Sequence, residues 1–208
     1  MNDQYSDDIL LISRFNRGDR SAFDTLITRH QARAYQYAYR LCRDSDLSSD
    51  VVAQAFLRAF KALNGFKSES NFTTWLYRII TNCYLDIVKR EKRRTTVSLD
   101  APHNAEEGEI SRELEAKGLN PHEEAEQSER ERTLSRAVAQ LPEYQKAMIL
   151  MYHVEMLSYE EMAEILDVPL GTVKSRLNRA RLSLRALLTQ EDLAFAVADA
   201  PIRQFSAA

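Results

Sequence analysis

Residues 158–185 read SYEEMAEILDVPLGTVKSRLNRARLSLR, and their pattern permits few folds. Ser158 followed three residues later by Glu161 is a capping box that opens a helix, with Tyr159, Met162, Ala163 and Leu166 on one side. DVPLG is a turn, because the Pro169 ring cannot continue the helix before it. A second helix is expected from about Gly171 or Thr172, with Val173, Leu177, Ala180 and Leu184 inward at spacings of four, three and four. Cap, turn and stripe agree on a helix-turn-helix.

The outward side of that second helix is cleanly basic. Between 171 and 185 stand Lys174, Arg176, Arg179, Arg181 and Arg185 with no Asp or Glu, although the chain as a whole carries a net charge of -3. In a helix-turn-helix the N-terminal turns of the second helix meet base edges in the major groove. Lys174, Ser175, Asn178 and Arg179, with Thr172 at the helix start, therefore form the candidate reading edge: Lys and Arg suit guanine, and Asn suits adenine. Arg176, Arg181 and Arg185 fall away from that edge and are assigned to phosphates.

Five glycines and five prolines in 208 residues, with apolar spacings of three and four elsewhere, predict an all-α chain. Ala22, Phe23, Leu26, Ile27, Ala34, Tyr37, Ala38 and Leu41 form one stripe; Val51, Val52, Ala55, Phe56, Ala59, Phe60 and Leu63 form a second. Phe72, Leu76, Ile79, Ile80, Cys83 and Ile87 form a third, and a short helix over about 7 to 17 precedes them. Together they predict a helical domain from 7 to 94. Cys42 and Cys83 lie in apolar patterns and read as buried, reduced thiols. No spacing of His, Cys or acidic residues suggests a metal site, and none requires a cofactor. No apolar run approaches the roughly 20 residues of a membrane span, and the N-terminus is acidic, so a cytoplasmic location without membrane insertion is expected.

Ten acidic side chains between 106 and 131, against Arg112, Lys117 and Arg130, leave that segment at net -7. It predicts a self-repelling linker over 95–127, followed by a second domain at 128–188 and a frayed tail at 189–208. Removing its charge exposes a second basic region, where Arg78, Lys89, Arg90, Lys92, Arg93 and Arg94 face only Asp86 and Glu91. Two basic surfaces joined by an acidic tether suggest a polyanion met at two places. The net charge argues against tight DNA binding by the chain alone, since phosphate neutralisation supplies most non-specific affinity.

The stretch FKSESNFTTWLYRIITNCYLDIVKREKRR, residues 66–94, combines a polar loop bearing Phe66 and Phe72 with a helix carrying Trp75, Arg78 and Asn82 and a basic end. Aromatic rings beside an amide and cations suit single-stranded nucleic acid, because bases stack on rings while cations hold the backbone. This stretch resembles region two of the extracytoplasmic-function (ECF, group IV) sigma factors of bacterial RNA polymerase, and residues 141–188 resemble region four of the same family. The resemblance implies a sigma region-2 helical bundle at 7–94 that binds core polymerase and melts the minus-ten element, and a region-4 helix-turn-helix at 128–188 that reads the minus-thirty-five element. Phe66 and Asn82 would line the pocket for a flipped base, with the loop 66–72 forming its wall, Phe72 and Arg78 among the other minus-ten contacts, and Lys89, Arg90, Arg93 and Arg94 on phosphates. Core polymerase would be met at the clamp helices of its largest subunit and the flap of its second largest. The core-binding helix keeps Asp50, Val51, Val52 and Phe56 of the family pattern, while Ala53 and Gln54 replace its polar and acidic members. The missing acid raises phosphorylation of Ser48 or Ser49 as a hypothesis. Promoter DNA and an anti-sigma factor are the remaining expected partners.

The main alternative is a stand-alone helix-turn-helix regulator that binds operators without core polymerase. It accounts for 158–185 but gives the basic aromatic region at 66–94 no role. An enzyme is not expected, since the chain shows no phosphate loop, nucleophile elbow or metal cluster. A helical adaptor with merely solubilising basic faces predicts no DNA dependence at all.

Overall fold

The structure, a computed structural model, describes residues 2–66, 71–97 and 121–190. Over these the chain forms eight α-helices: α1 (Asn2–Asn16), α2 (Ser21–Cys42), α3 (Ser45–Ala62), α4 (Phe72–Val97), α5 (Pro121–Gln140), α6 (Glu143–His153), α7 (Tyr159–Leu166) and α8 (Leu170–Gln190). A single 3-10 turn, Leu63–Gly65, follows α3. The fold is all-α, as the apolar spacing predicts. Most of the acidic stretch and the tail fall outside the described residues. The chain divides into two compact units, one holding α1–α4 and the other most of α5–α8.

In the first unit α2 packs against α1, α3 and α4. Its stripe buries Leu26, Tyr37, Ala38 and Leu41 against Val51, Ala55 and Ala59 of α3 and Leu76, Ile80 and Cys83 of α4, all essentially solvent-free. Alanines at 55 and 59 let α3 approach closely, and each buried leucine or isoleucine contributes about 1.5–3 kcal/mol. The α1–α2 turn needs Gly18, whose φ of 99° is costly for any residue with a Cβ. Asp19 then accepts hydrogen bonds from the Ser21 amide (3.1 Å) and hydroxyl (2.6 Å), which hold its carboxyl below the usual range. Asp44 caps α3 by accepting from the Leu47 amide at 2.7 Å. Phe60 departs from its expected inward place: it sits at the rim, edge-on to Phe15 and Phe23 at 5.3 and 5.1 Å. Cys83 is buried and Cys42 only half-buried, both as free thiols.

In the second unit α6 is buried without a break from Lys146 to Met151, which makes it the central helix, with α8 and α5 packed against it. The capping box forms as read. Glu161 N–H donates to Ser158 Oγ at 3.1 Å, and Ser158 N–H donates to Glu161 Oε2 at 2.9 Å. α7 buries Met162 and Ile165, whereas Leu166 stays half-exposed, a shift of the stripe by one residue near the helix end. Asp167, at φ 52°, ends α7, and the Pro169 carbonyl accepts from the Thr172 and Val173 amides at 2.8 and 3.1 Å. Proline thus stops one helix and caps the next. Replacing Ser158 with Ala removes one of the two reciprocal bonds and should lower stability by about 1 kcal/mol in chemical denaturation; an unchanged midpoint would contradict the cap's contribution.

Candidate nucleic-acid interface

The first candidate face lies on α4. Burial of Phe72, Leu76, Ile80, Cys83 and Ile87 fixes the roll of the helix, so Trp75, Arg78, Asn82, Lys89 and Arg93, at spacings of three, four, seven and four, lie on the opposite side. Asn82, Lys89, Arg90 and Arg93 are exposed, while Trp75 and Arg78 are half-exposed. Asp86, an acid on this side, is held 3.0 Å from Arg58 of α3, which offsets its charge. At the start of α4, Phe66, Phe72 and Trp75 form a three-ring cluster with centroids 5.4, 5.7 and 6.3 Å apart. Phe66 and Trp75 keep part of their surface open. Phe72, expected among the contacts, is 2% exposed and lies beneath the other two rings. Residues 67–70 and the Arg94 side chain lie outside the described set.

The second face lies on α8. Val173, Leu177, Ala180 and Leu184 are buried as predicted, which turns Lys174, Ser175, Asn178 and Arg179 outward. Ser175 Oγ donates to the Thr172 carbonyl at 3.0 Å, and Thr172 is half-exposed. Two arginines point elsewhere. Arg176 Nη1 donates to the Tyr144 hydroxyl at 2.5 Å, with its guanidinium 4.9 Å from that ring. Arg181 lies 4.8 Å from the Tyr152 ring and donates through Nε to His153 Nε2 at 3.3 Å. These are cation–aromatic contacts that anchor α8 on α6, each worth about 0.5–2 kcal/mol. Part of each guanidinium is thereby committed to folding rather than to phosphate. Tyr152 also stacks on Tyr159 of α7 at 5.1 Å, and Lys174 Nζ stands 5.9 Å from the Tyr159 ring.

The helix expected to meet core polymerase is α3, and two of the residues expected to make that contact are buried in it. Val51 is fully buried and Phe56 nearly so, because both fall on the stripe packed inside the unit. Asp50 and Ala53 are exposed and Gln54 half-exposed, and Leu57 is a large apolar side chain 56% exposed on the same outward side; Val52, also half-exposed, falls round toward the buried stripe. Leu57 was missed, although its sequence signal exists: it is apolar and two residues from Ala55 and Ala59, hence off the buried stripe. Ser48 is also buried, with its hydroxyl bonded to the Asp44 carbonyl, so Ser49 alone of the pair is accessible.

Two regions of the chain match known families. Residues 26–94 match Sigma-70 region 2, and residues 131–184 match Sigma-70, region 4. The ECF RNA polymerase sigma-E factor of Escherichia coli K12 is 36% identical over 184 residues, which is 87% of this chain and 93% of that protein. The chain belongs to the ECF sigma factors. The ECF RNA polymerase sigma factor SigW of Bacillus subtilis is 32% identical over 178 residues, 85% of this chain and 94% of that one. Among solved structures, the sigma factor RpoE of Bartonella quintana, in complex with the anti-sigma factor NepR, matches with a TM-score of 0.61 over 80% of this ECF sigma factor and 96% of RpoE, at 23% identity. CnrH, in complex with the cytosolic domain of CnrY, matches with a TM-score of 0.60 over 89% and 99% of the two chains, at 24% identity. At those identities the likeness concerns the fold. Among the described residues of this ECF sigma factor, no helix is long and apolar enough to cross a membrane.

The α6–α8 anchor carries a pH dependence. Burial, reinforced by the Arg181 charge, pushes the His153 pKa down to about 4, so His153 is neutral at pH 7 and its Nε2 accepts from Arg181. The unfolded chain takes up this proton near pH 6.5 and the folded one only near 4. The stabilisation is therefore complete above 6.5 and falls away as the pH drops toward 4. His153→Gln, which cannot gain that charge, should show a smaller loss of thermal stability across this window; identical profiles would contradict the assignment.

Proposed function

We propose that this ECF sigma factor binds core RNA polymerase, directs it to specific promoters and initiates transcription by melting promoter DNA. The observation that carries this reading is the α4 face, where Trp75, an amide and cations share one side of the helix and the part-open ring of Phe66, just before it, packs against Trp75. Extruding a base costs a few kcal/mol. Stacking on Phe66 and Trp75 returns about 1–3 kcal/mol per base, and Asn82 hydrogen-bonds a base edge. Lys89, Arg90 and Arg93, joined by Arg94, hold the phosphates of the opened strand. Lys174, Ser175, Asn178 and Arg179 read the minus-thirty-five element as duplex, with Thr172 and the free donors of Arg176 on the flanking backbone. Core polymerase is met through the outward side of α3, at Asp50, Gln54 and Leu57, where the clamp helices of the largest subunit dock. The second unit meets the flap of the second-largest subunit.

The role assigned to the chain is recognition and opening, with nucleotide addition left to the polymerase. Its net charge of -3 suits a subunit that gains DNA affinity only within the holoenzyme. The region-2 match over 26–94 disfavours a stand-alone regulator, which has no use for that unit. An anti-sigma factor is the proposed regulator, as RpoE is held by NepR.

Run-off transcription with core polymerase and a genomic promoter library tests the reading. Transcripts that require the chain and share a two-part upstream element are expected; core binding without such transcripts would overturn it. At a promoter so found, Asn82→Ala should abolish permanganate reactivity of the melted strand while sparing duplex binding. Arg179→Ala should cost about 1–3 kcal/mol of discrimination in the upstream element alone.

A further inference from the structure

The first unit buries a charged cluster to which the contacts above assign no part. Asp8 of α1 is 4% exposed; its Oδ1 accepts from Arg29 Nη1 at 2.7 Å, and its Oδ2 lies 2.9 Å from Nε2 of His30, itself 2% exposed. A carboxylate only accepts, so His30 donates through Nε2, and both oxygens of Asp8 are engaged. Arg29 also stands 3.5 Å from the exposed Asp7. Burying such groups is expensive, and apolar side chains of similar volume hold helices together at least as well. Stability is thus a weak reason for the cluster, and its geometry offers a stronger one. The His30 ring lies 4.9 Å from the ring of Phe72, and Phe72 lies 6.3 Å from Phe66 and 5.7 Å from Trp75. An unbroken line of contacts runs from the α1 carboxylate to the two part-open rings of α4's face.

We propose that Asp8 is a positioning residue for the single-strand face. By fixing the orientation of the His30 ring it seats Phe72, and Phe72 sets the planes of Phe66 and Trp75 before any base arrives. Rings held in place lose less freedom on binding, so more of the stacking energy remains to hold an extruded base. The inference rests on the reading of this face as a site for unpaired DNA.

Trp75 is the sole tryptophan of the chain, so its emission reports directly on the cluster. The experiment compares the full-length wild type with Asp8→Asn and Phe72→Leu. Helix content and Trp75 emission and quenching are measured on the free chain. Affinity for a labelled random-sequence single-stranded DNA pool is measured on the holoenzyme, with core polymerase alone as the blank. Asp8→Asn should keep its helix content, make Trp75 more quenchable and weaken single-strand binding about tenfold. Phe72→Leu should do the same with the charged cluster intact; if Asp8→Asn does not fold, His30→Gln, which breaks the same link at its next member, is measured in its place. Unchanged Trp75 emission and quenching in a folded Asp8→Asn overturns the proposal, whatever Phe72→Leu shows. So does altered emission with unchanged single-strand affinity, which would leave Asp8 a purely structural role. A wild-type holoenzyme that binds the pool no better than core alone removes the single-strand reading itself, and Trp75 quenching in Asp8→Asn then still shows whether the mechanical link exists.

Discussion

The contact on which the first unit depends is that between α2 and α4 around Tyr37. Its ring stacks on Tyr77 at 4.3 Å, and its hydroxyl meets Thr81 Oγ at 2.8 Å, with all three side chains buried. Leucines alone tolerate some rotation of one helix on another; a stacked pair with a buried hydrogen bond does not. This pins the roll of α4. Once the roll is fixed, Trp75, Arg78, Asn82, Lys89 and Arg93 have no choice but to face away from α2, and the chemistry of the surface follows from the packing of the interior.

The second unit solves the same problem with cations. Arg176 and Arg181 spend their ring-facing sides on Tyr144 and Tyr152, which fixes α8 against α6. The outward edge is left to Lys174, Ser175, Asn178 and Arg179. The basic run that looks uniform in the sequence is therefore divided, with some charges building the fold and others displayed. An acidic stretch elsewhere in the chain keeps the total at -3, so neither face is expected to hold DNA tightly in isolation.

What was legible in the sequence was local. The Ser158–Glu161 box, the Pro169 stop and the Val173, Leu177, Ala180, Leu184 stripe depend on residues within one or two turns, and each is found where its chemistry puts it. What was not legible involves partners distant in sequence. Nothing near Arg176 or Arg181 announces Tyr144 or His153, about thirty residues earlier, and nothing near Asp8 announces His30. The burial of Val51, Phe56 and Phe72, expected as contact residues, was illegible for a related reason. A family pattern shows that a position is apolar, but a binding surface and a core use the same residue types, and only packing separates them.

Unpaired promoter DNA lying on the outward side of α4 can be caught in place by photocrosslinking. A photoreactive phenylalanine analogue placed at Phe66, in holoenzyme bound to a promoter, should crosslink to bases of the opened strand and lose that signal when the same promoter is locked as closed duplex. Crosslinking that is equal on closed duplex, or that reaches no promoter base while the complex is transcriptionally active, would mean that the opened strand does not lie on α4.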